Sequence, residues 1–431
     1  MPAVIEKESI GQALSSVNGT ESLSSQKKFL NIIENSASTI IDHQHPITGF
    51  FPAATRARHV AADGYHRSWA RDGALTTIGE AELVRLKIFP AGSETEKKVI
   101  KSAVGFMEGI LDLSMQEPWR SAFEQESNEV KDQEGHVIYR ELTKEAPPIH
   151  FEPDGRPVFW WRQNQPDSWG AYLISLGSGL KQGFLALNPK QQESAEVITN
   201  FLLRNEIKNL KQSSMWEGCE VYSPAPLSSV AIVAKGLGEI QPFVSARLKG
   251  KIDNTILSSK RFIRNNYPKE YTVPDGHLGE TDLATLVAHD LGALEGFSLS
   301  QYFRKSDREL GNGKDPGNKR FMGDIYYGVV GKEAIWPLGA LLEAKILLEK
   351  AINSFKSEDN EMGKRLQSKG VSRLKKVIDL QEKYGYLPEL LEQRGGELTP
   401  NGNDLLWNHA QLIKACAFAL VSERFSPISL N

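Results

Sequence analysis

Apolar side chains recur at three- and four-residue intervals along most of this chain, while strict two-residue alternation is scarce. The spacing predicts helices over 24–42, 73–86, 97–114, 168–182, 190–209, 226–240, 248–265, 282–297, 333–352, 361–382 and 403–422. Extended pieces are expected only at 136–142 and 156–161, as a hairpin inside a loop. The helices come in two kinds. Segments 24–42, 190–209 and 361–382 carry Lys, Glu, Gln and Asn on one face, which suits an outer layer. Segments 73–86, 168–182, 226–240, 333–352 and 403–422 are rich in Gly, Ala and Ser, which suits an inner layer buried on both sides. Their alternation predicts an all-α, two-layer helical barrel. A plain helical solenoid is the competing fold, but no repeat at the roughly 34–47-residue periods of such arrays is visible.

Length adds a bound: 431 residues allow up to three domains or one large barrel. We read residues 1–22 as a polar arm, 23–425 as one domain and 426–431 as a short tail. The 51 basic and 54 acidic residues nearly cancel, so the chain has no electrostatic case for nucleic acid or an anionic membrane. No apolar run approaches the roughly 18 residues of a membrane span. Two cysteines, Cys219 and Cys416, argue against a disulfide framework, and the polar N-terminus shows no secretory signal. The expected location is the cytoplasm. No metal-ligand spacing stands out and no cofactor is expected. Nothing identifies a protein partner.

The long connections 43–72, 115–167, 210–225, 306–332 and 383–402 hold or adjoin polar and aromatic clusters, whereas 266–281 does not. A ring of inner helices would gather such loops at one mouth. In Tyr65-His-Arg-Ser-Trp-Ala-Arg-Asp72, Asp72 either caps the next helix or joins Arg71 in binding vicinal hydroxyls, with Tyr65 and Trp69 as flanking rings. His66 is read as incidental. Phe159-Trp-Trp-Arg-Gln-Asn-Gln-Pro-Asp-Ser-Trp169 packs more polar groups among its aromatics than a core segment can satisfy internally. Met215-Trp-Glu-Gly-Cys-Glu220 sets Glu217 beside Trp216, where desolvation raises a carboxyl pKa, and Glu220 is its competitor. Arg320-Phe-Met-Gly-Asp-Ile-Tyr-Tyr-Gly, with Trp336 after it, offers Arg320 and Asp324 as hydroxyl grips and Tyr327 and Trp336 as pocket walls. Leu387-Pro-Glu-Leu-Leu-Glu-Gln offers Glu389 as a base, with Glu392 as rival. A solvated surface acid is the plain alternative for each of these carboxylates. Two acids facing across a sugar-sized pocket are the equipment for glycosidic cleavage.

In this order the clusters resemble the glucoamylase family, glycoside hydrolase family 15, over roughly residues 25–422. Tyr65 to Asp72 resembles the family's Tyr-x-x-x-Trp-x-Arg-Asp signature, which implies that Tyr65, Trp69, Arg71 and Asp72 hold the terminal glucose. The stretch through Asp167 resembles a Trp-x-Arg-Pro-Gln-Asn-Asp-Gly segment, with one extra residue and no Gly, and this carries binding roles to Trp160, Arg162, Gln165 and Asp167. Trp216-Glu217 is similar to the Trp-Glu-Glu site whose first Glu is the general acid, although Gly218 replaces the second. Arg320, Asp324, Tyr327 and Trp336 match a further segment. Leu387-Pro-Glu389 is similar to the site of the catalytic base, with Leu390 in place of Gln.

The resemblance implies an (α/α)6 barrel with long active-site loops. It also implies an inverting exo-acting hydrolase that releases β-glucose from α-glucans or α-linked gluco-oligosaccharides, with Glu217 as acid and Glu389 as base about 6.5–9.5 Å apart. Expected linkages are α-1,4 first, then α-1,6 and trehalose. His43-Gln-His-Pro-Ile-Thr-Gly-Phe-Phe-Pro-Ala53 resembles the N-terminal segment of the phosphorylase kinase regulatory subunits. That likeness makes a catalytically silent glycan-binding module the alternative. A purely structural helical scaffold is the third reading, and it leaves the five clusters unexplained.

Overall fold

The computed structural model describes residues 20–55, 64–159, 164–213, 215–216, 220–221, 225–270, 281–311, 314–322, 324, 334–394 and 397–426. Helices α1 (Thr20–His43), α2 (Ala70–Arg85) and α3 (Glu94–Leu113) open the chain, followed by the short α4 (Trp119–Glu124). Next come α5 (Pro166–Lys181), α6 (Pro189–Arg204), α7 (Leu227–Ile240) and α8 (Ala246–Asn266). Helices α9 (Leu283–Asp290), α10 (Leu299–Glu309), α11 (Pro337–Lys356), α12 (Asn360–Tyr384) and α13 (Leu406–Phe425) follow. Among the described residues, strands occur only as antiparallel pairs in the connections: β1 (Ser68–Trp69) with β4 (His150–Phe151), and β2 (Asn128–Lys131) with β3 (Val137–Glu141). The other two pairs are β5 (Gln212–Ser213) with β6 (Glu220–Val221), and β7 (Pro388–Arg394) with β8 (Glu397–Asp404).

Packing closes a ring. Helix α2 lies against α5, α5 against α7, α7 against α9, α9 against α11, α11 against α13, and α13 against α2. Helices α1, α3, α6, α8, α10 and α12 form the outer layer, so the fold is an (α/α)6 barrel. Burial separates the layers as the side chains foretold. Helix α13 is buried at every position from Leu406 to Ser422, whereas the longer α8 buries only Leu248, Ile252, Ser259 and Ile263. Small residues set the inner spacing: a Cβ on Gly236 would collide with the backbone oxygen of Gly170, and one on Gly79 would lie 3.0 Å from Ala410. The core is continuous around the ring, with Trp119, Phe123, Phe151 and Trp169 meeting edge to face or stacked beneath the connection after α3.

Three expectations need correction. The helix expected over 282–297 stops at Asp290, and a separate helix, α10, begins at Leu299 and runs into the connection read over 306–332. Only Leu299, Tyr302 and Ser306 of α10 are buried, too few apolar positions to signal a helix in isolation. The helix expected over 190–209 ends at Arg204, where Glu206 takes a positive φ of 44° and a single 3-10 turn follows. Segment 383–402 is a hairpin rather than an irregular loop, and its β7 sequence carries no two-residue alternation to announce it.

The segment His43–Ala53 has a structural task. Gln44 Nε2 donates to the backbone oxygens of Gly49 (2.7 Å) and Ser102 (2.8 Å). Cβ atoms on Gly49 and Gly109 would run into the backbones of Gly105 and Thr48, so the segment lies directly on α3. Leu406 N–H then donates to Ala53 O at 3.0 Å, tying this outer strap to the start of α13.

Candidate active site

The inner helices begin at one end of the barrel, and neighbouring loops supply acceptors for their first amides. Ala70 N–H donates to Ile149 O (2.8 Å), Leu227 to Glu270 O (2.8 Å) and Leu283 to Arg320 O (2.7 Å). Such bonds satisfy donors that a helix start leaves open. They also fix the loops relative to one another, so the residues just ahead of each inner helix converge.

Asp72 is not the cap of α2. It is the third residue of the helix, and Trp69 occupies the N-cap position without a side-chain capping bond. Arg71 is buried and contacts three acceptors: Gln165 Oε1 at 3.2 Å, Asp167 Oδ2 at 3.5 Å and Asp72 Oδ1 at 3.6 Å. One guanidinium thus serves two carboxylates. Burial raises the pKa of both Asp72 and Asp167 above the ordinary value, and Arg71 only partly opposes it. Ser229 at the start of α7 donates to Asp167 Oδ1 at 3.2 Å. Trp69 stacks on His150 with centroids 4.8 Å apart and ring planes 19° from parallel.

Aromatic and cationic groups continue around the mouth. The Arg71 guanidinium lies 5.9 Å from the Trp407 ring centre, and Trp407 stacks on Trp216 at 6.1 Å and 14°. Arg320 lies 5.4 Å from Trp216 and 4.1 Å from Trp336. Asp324 takes two bonds from Arg320, each 2.8 Å, and one from Trp336 Nε1 at 2.9 Å. Both Asp324 oxygens are engaged inside the protein, so Asp324 orients Arg320 and Trp336. Trp407, at the head of α13, completes the plate between Arg71 and Trp216.

Glu389 sits where the β7–β8 register shifts between Pro388 and Leu390, a bulge that re-aims a side chain. The residue is 3% exposed. Tyr65 Oη donates to Oε1 at 2.7 Å, and Asn403 N–H to Oε2 at 3.2 Å. Burial pushes the Glu389 pKa up to about 7, against the Tyr65 and Asn403 bonds and the charge of Arg320, while Asp72 pushes the same way as burial. Glu389 therefore feels both Arg320 and Asp72 and belongs to the same site. Gly402 has φ 81°, and a Cβ there would stand 2.6 Å from Glu389 Oε2, so the carboxylate fills the space a side chain would need. Glu392, the rival, is held across the hairpin by Asn401 Nδ2 at 2.5 Å.

The structure thus brings together Tyr65, Arg71, Asp72, Gln165, Asp167, Trp216, Arg320, Asp324, Trp336 and Glu389, with Trp69 at the head of α2. Trp160, Arg162, Glu217 and Tyr327 lie outside the described residues. Two buried acids escaped the sequence reading. Glu270, in the connection set aside above, accepts from the backbone N–H and hydroxyl of Ser228 and from the Thr285 hydroxyl (2.8 Å). Burial lifts its pKa to about 6, and burial together with the charge of Glu270 lifts that of Asp282 to about 8. Thr281-Asp282 directly ahead of a small-residue helix was the available signal. Among the described residues no group of three or more His, Cys, Asp or Glu is placed to hold a metal ion.

No protein-family profile and no curated protein sequence matches the chain. Solved structures do share its fold. A wild-type glycosidase superposes with a TM-score of 0.63 at 19% identity, over 94% of this chain and 99% of that one. A bacterial glucoamylase complexed with acarbose gives 0.61 at 12% identity, over 96% of this chain and 58% of that one. The cellobiose 2-epimerase of Spirochaeta thermophila DSM 6192 gives 0.53 at 10% identity, over 93% and 98%. The (α/α)6 barrel is therefore common to proteins of more than one activity, and the site must argue the chemistry.

Proposed function

We propose that this protein is a glycoside hydrolase of the glucoamylase type, exo-acting and inverting, that releases β-glucose from α-glucans or α-linked gluco-oligosaccharides. The observation that carries the reading is the setting of Glu389: a buried carboxylate held by Tyr65, within the field of Arg71's partner Asp72 and of Arg320, beside a plate of tryptophans. Paired donors and acceptors suit sugar hydroxyls, and flat rings suit sugar C–H faces. The fold likeness to a glycosidase and to a glucoamylase that was solved with acarbose supports a carbohydrate substrate.

In this mechanism Glu217 protonates the leaving oxygen and ionised Glu389 draws a proton from water attacking the opposite face of the anomeric carbon. A pKa of about 7 poises Glu389 for proton transfer near neutrality, where a base is most effective. Arg71, Asp72, Gln165 and Asp167 hold the terminal sugar, with Trp69, Trp160, Arg162, Trp216, Tyr327 and Trp336 around it. The electrostatic tie of Glu389 to Asp72 and Arg320 favours it over Glu392 as the base. His43–Ala53 packs on α3 in either reading, so turnover of maltose, isomaltose, trehalose or dextran separates the hydrolase from a silent glycan-binding module. Proton NMR of the first-formed sugar tests the reading: β-glucose is expected, and α-glucose would rule out inversion. Full activity of Glu217→Gln or Glu389→Gln would remove that residue from its role.

A further inference from the structure

Asp282 differs from the other residues that precede inner helices. Trp69, Gln165, Pro226, Trp336 and Leu405 make no side-chain cap. Asp282 caps α9 through Ala284 N–H at 2.7 Å, and the same oxygen accepts the Trp216 indole N–H at 2.6 Å. Its backbone is anchored independently of that carboxylate: Tyr302 Oη donates to Asp282 O at 3.1 Å, and the residue bridges to Phe321 beside Arg320. One side chain therefore joins α9, the Arg320 segment and Trp216. A helix cap alone does not need the indole, since serine caps as well as aspartate.

We propose that Asp282 is a positioning residue for the proton donor, fixing the Trp216 indole and through it the backbone that leads into Glu217. The inference rests on the assignment of Glu217 as the acid. Trp216 is gripped at three places: by Asp282 at its N–H, by Trp407 across one face and by the Arg320 guanidinium. Consecutive Cα atoms are about 3.8 Å apart, so a fixed residue 216 limits the reach of the next. A catalytic group displaced by about 1 Å loses about a hundredfold in rate.

Steady-state kinetics of the full chain on maltose or another turned-over α-linked oligosaccharide tests this. Serine keeps the cap but is too short to hold the indole as well, whereas asparagine keeps both acceptor contacts. Asp282→Ser is expected to lower kcat about 10- to 100-fold with KM within about threefold, because the loss falls on the transition state. Asp282→Asn is expected to restore kcat to within about threefold of the parent, the scatter of a near-neutral change. In a Trp216→Phe background, which lacks the indole N–H, Asp282→Ser should have no further effect. An unchanged kcat in Asp282→Ser overturns the proposal, and so does an equal loss in the Ser and Asn variants that follows their melting temperatures. If Asp282→Ser does not fold, Trp216→Phe decides, and an unchanged kcat there overturns it. Activity surviving in Glu217→Gln discards the acid assignment itself. An inactive Glu217→Gln beside an unimpaired Asp282→Ser discards only the role of Asp282.

Discussion

At the mouth of the barrel, Glu389 accepts from a tyrosine hydroxyl and a backbone amide, whereas deeper in, at the end of α9, Asp290 faces the amines of Lys345 and Lys414. Glu389, Asp290, Lys345 and Lys414 are all buried. The outcomes oppose each other. Burial raises Glu389, Asp72, Asp167, Asp282 and Glu270, and Arg71 or Arg320 opposes it at the first four alone. Burial also acts on Asp290, but Lys414 and Lys345 outweigh it and hold its pKa below the ordinary carboxylate value. Depth alone therefore does not set protonation; the ratio of cations to carboxylates does. The acid-rich end is poised for proton exchange, whereas the two lysines hold Asp290 ionised.

The largest expected effect is on the acid-rich end. Glu389→Gln should cut kcat by about a hundred- to ten-thousand-fold, the usual worth of a general base. The same variant should become more stable than the parent as pH rises. A carboxyl whose folded pKa is raised gives its full stabilisation below its unfolded value of 4.5 and loses it as pH climbs through about 7. The difference should grow across that window to at most about 3 kcal/mol, measured by denaturant unfolding at several pH values. No trend with pH would show that Glu389 is not held near 7.

The opposite result is expected deeper in. Asp290→Asn leaves the buried Lys414 without its counter-ion and Lys345 with Glu349 alone, and should cost about 3–5 kcal/mol of stability. Urea titration checks the loss, and kcat of the fraction that stays folded should change little. In the parent, the contribution of Asp290 is present above the ordinary aspartate value of 3.8 and is lost as pH falls through its lowered folded pKa, the reverse of Glu389.

Gly402→Ala sharpens the comparison without touching a charge. Its Cβ would displace Glu389 Oε2, so kcat should fall about 10- to 100-fold with KM little changed. A variant with parental kcat would show that the carboxylate has room to move. The smallest effect is expected from Tyr65→Phe. Losing a hydrogen bond to the ionised form raises the Glu389 pKa further, so the acidic limb of kcat/KM should move up by about one pH unit. A limb that stays in place would place the titrating group elsewhere.

Much of the scaffold was legible because helix period and side-chain size are local properties. The Gly-, Ala- and Ser-rich segments became inner helices since close packing around the axis admits little else. Helix α10 and the β7–β8 hairpin were missed because their stability comes from what they pack against. The sequence pointed to Arg71, Asp72 and Glu389 as polar residues beside helix starts. It did not show that Asp324 is consumed in orienting Arg320, nor that Asp282 holds the Trp216 indole.

By itself, the sequence determined the kind of element along most of the chain, the division into wet and buried helices, and the segments where polar chemistry gathers. All of these follow from neighbours a few residues apart. Only the tertiary structure decided which groups meet. Tyr65 reaches Glu389 across 324 residues of chain, and Arg71 reaches Asp167 across 96. Closing the ring sets those distances, and burial inside it sets the protonation of the acids, so neither can be read from local sequence.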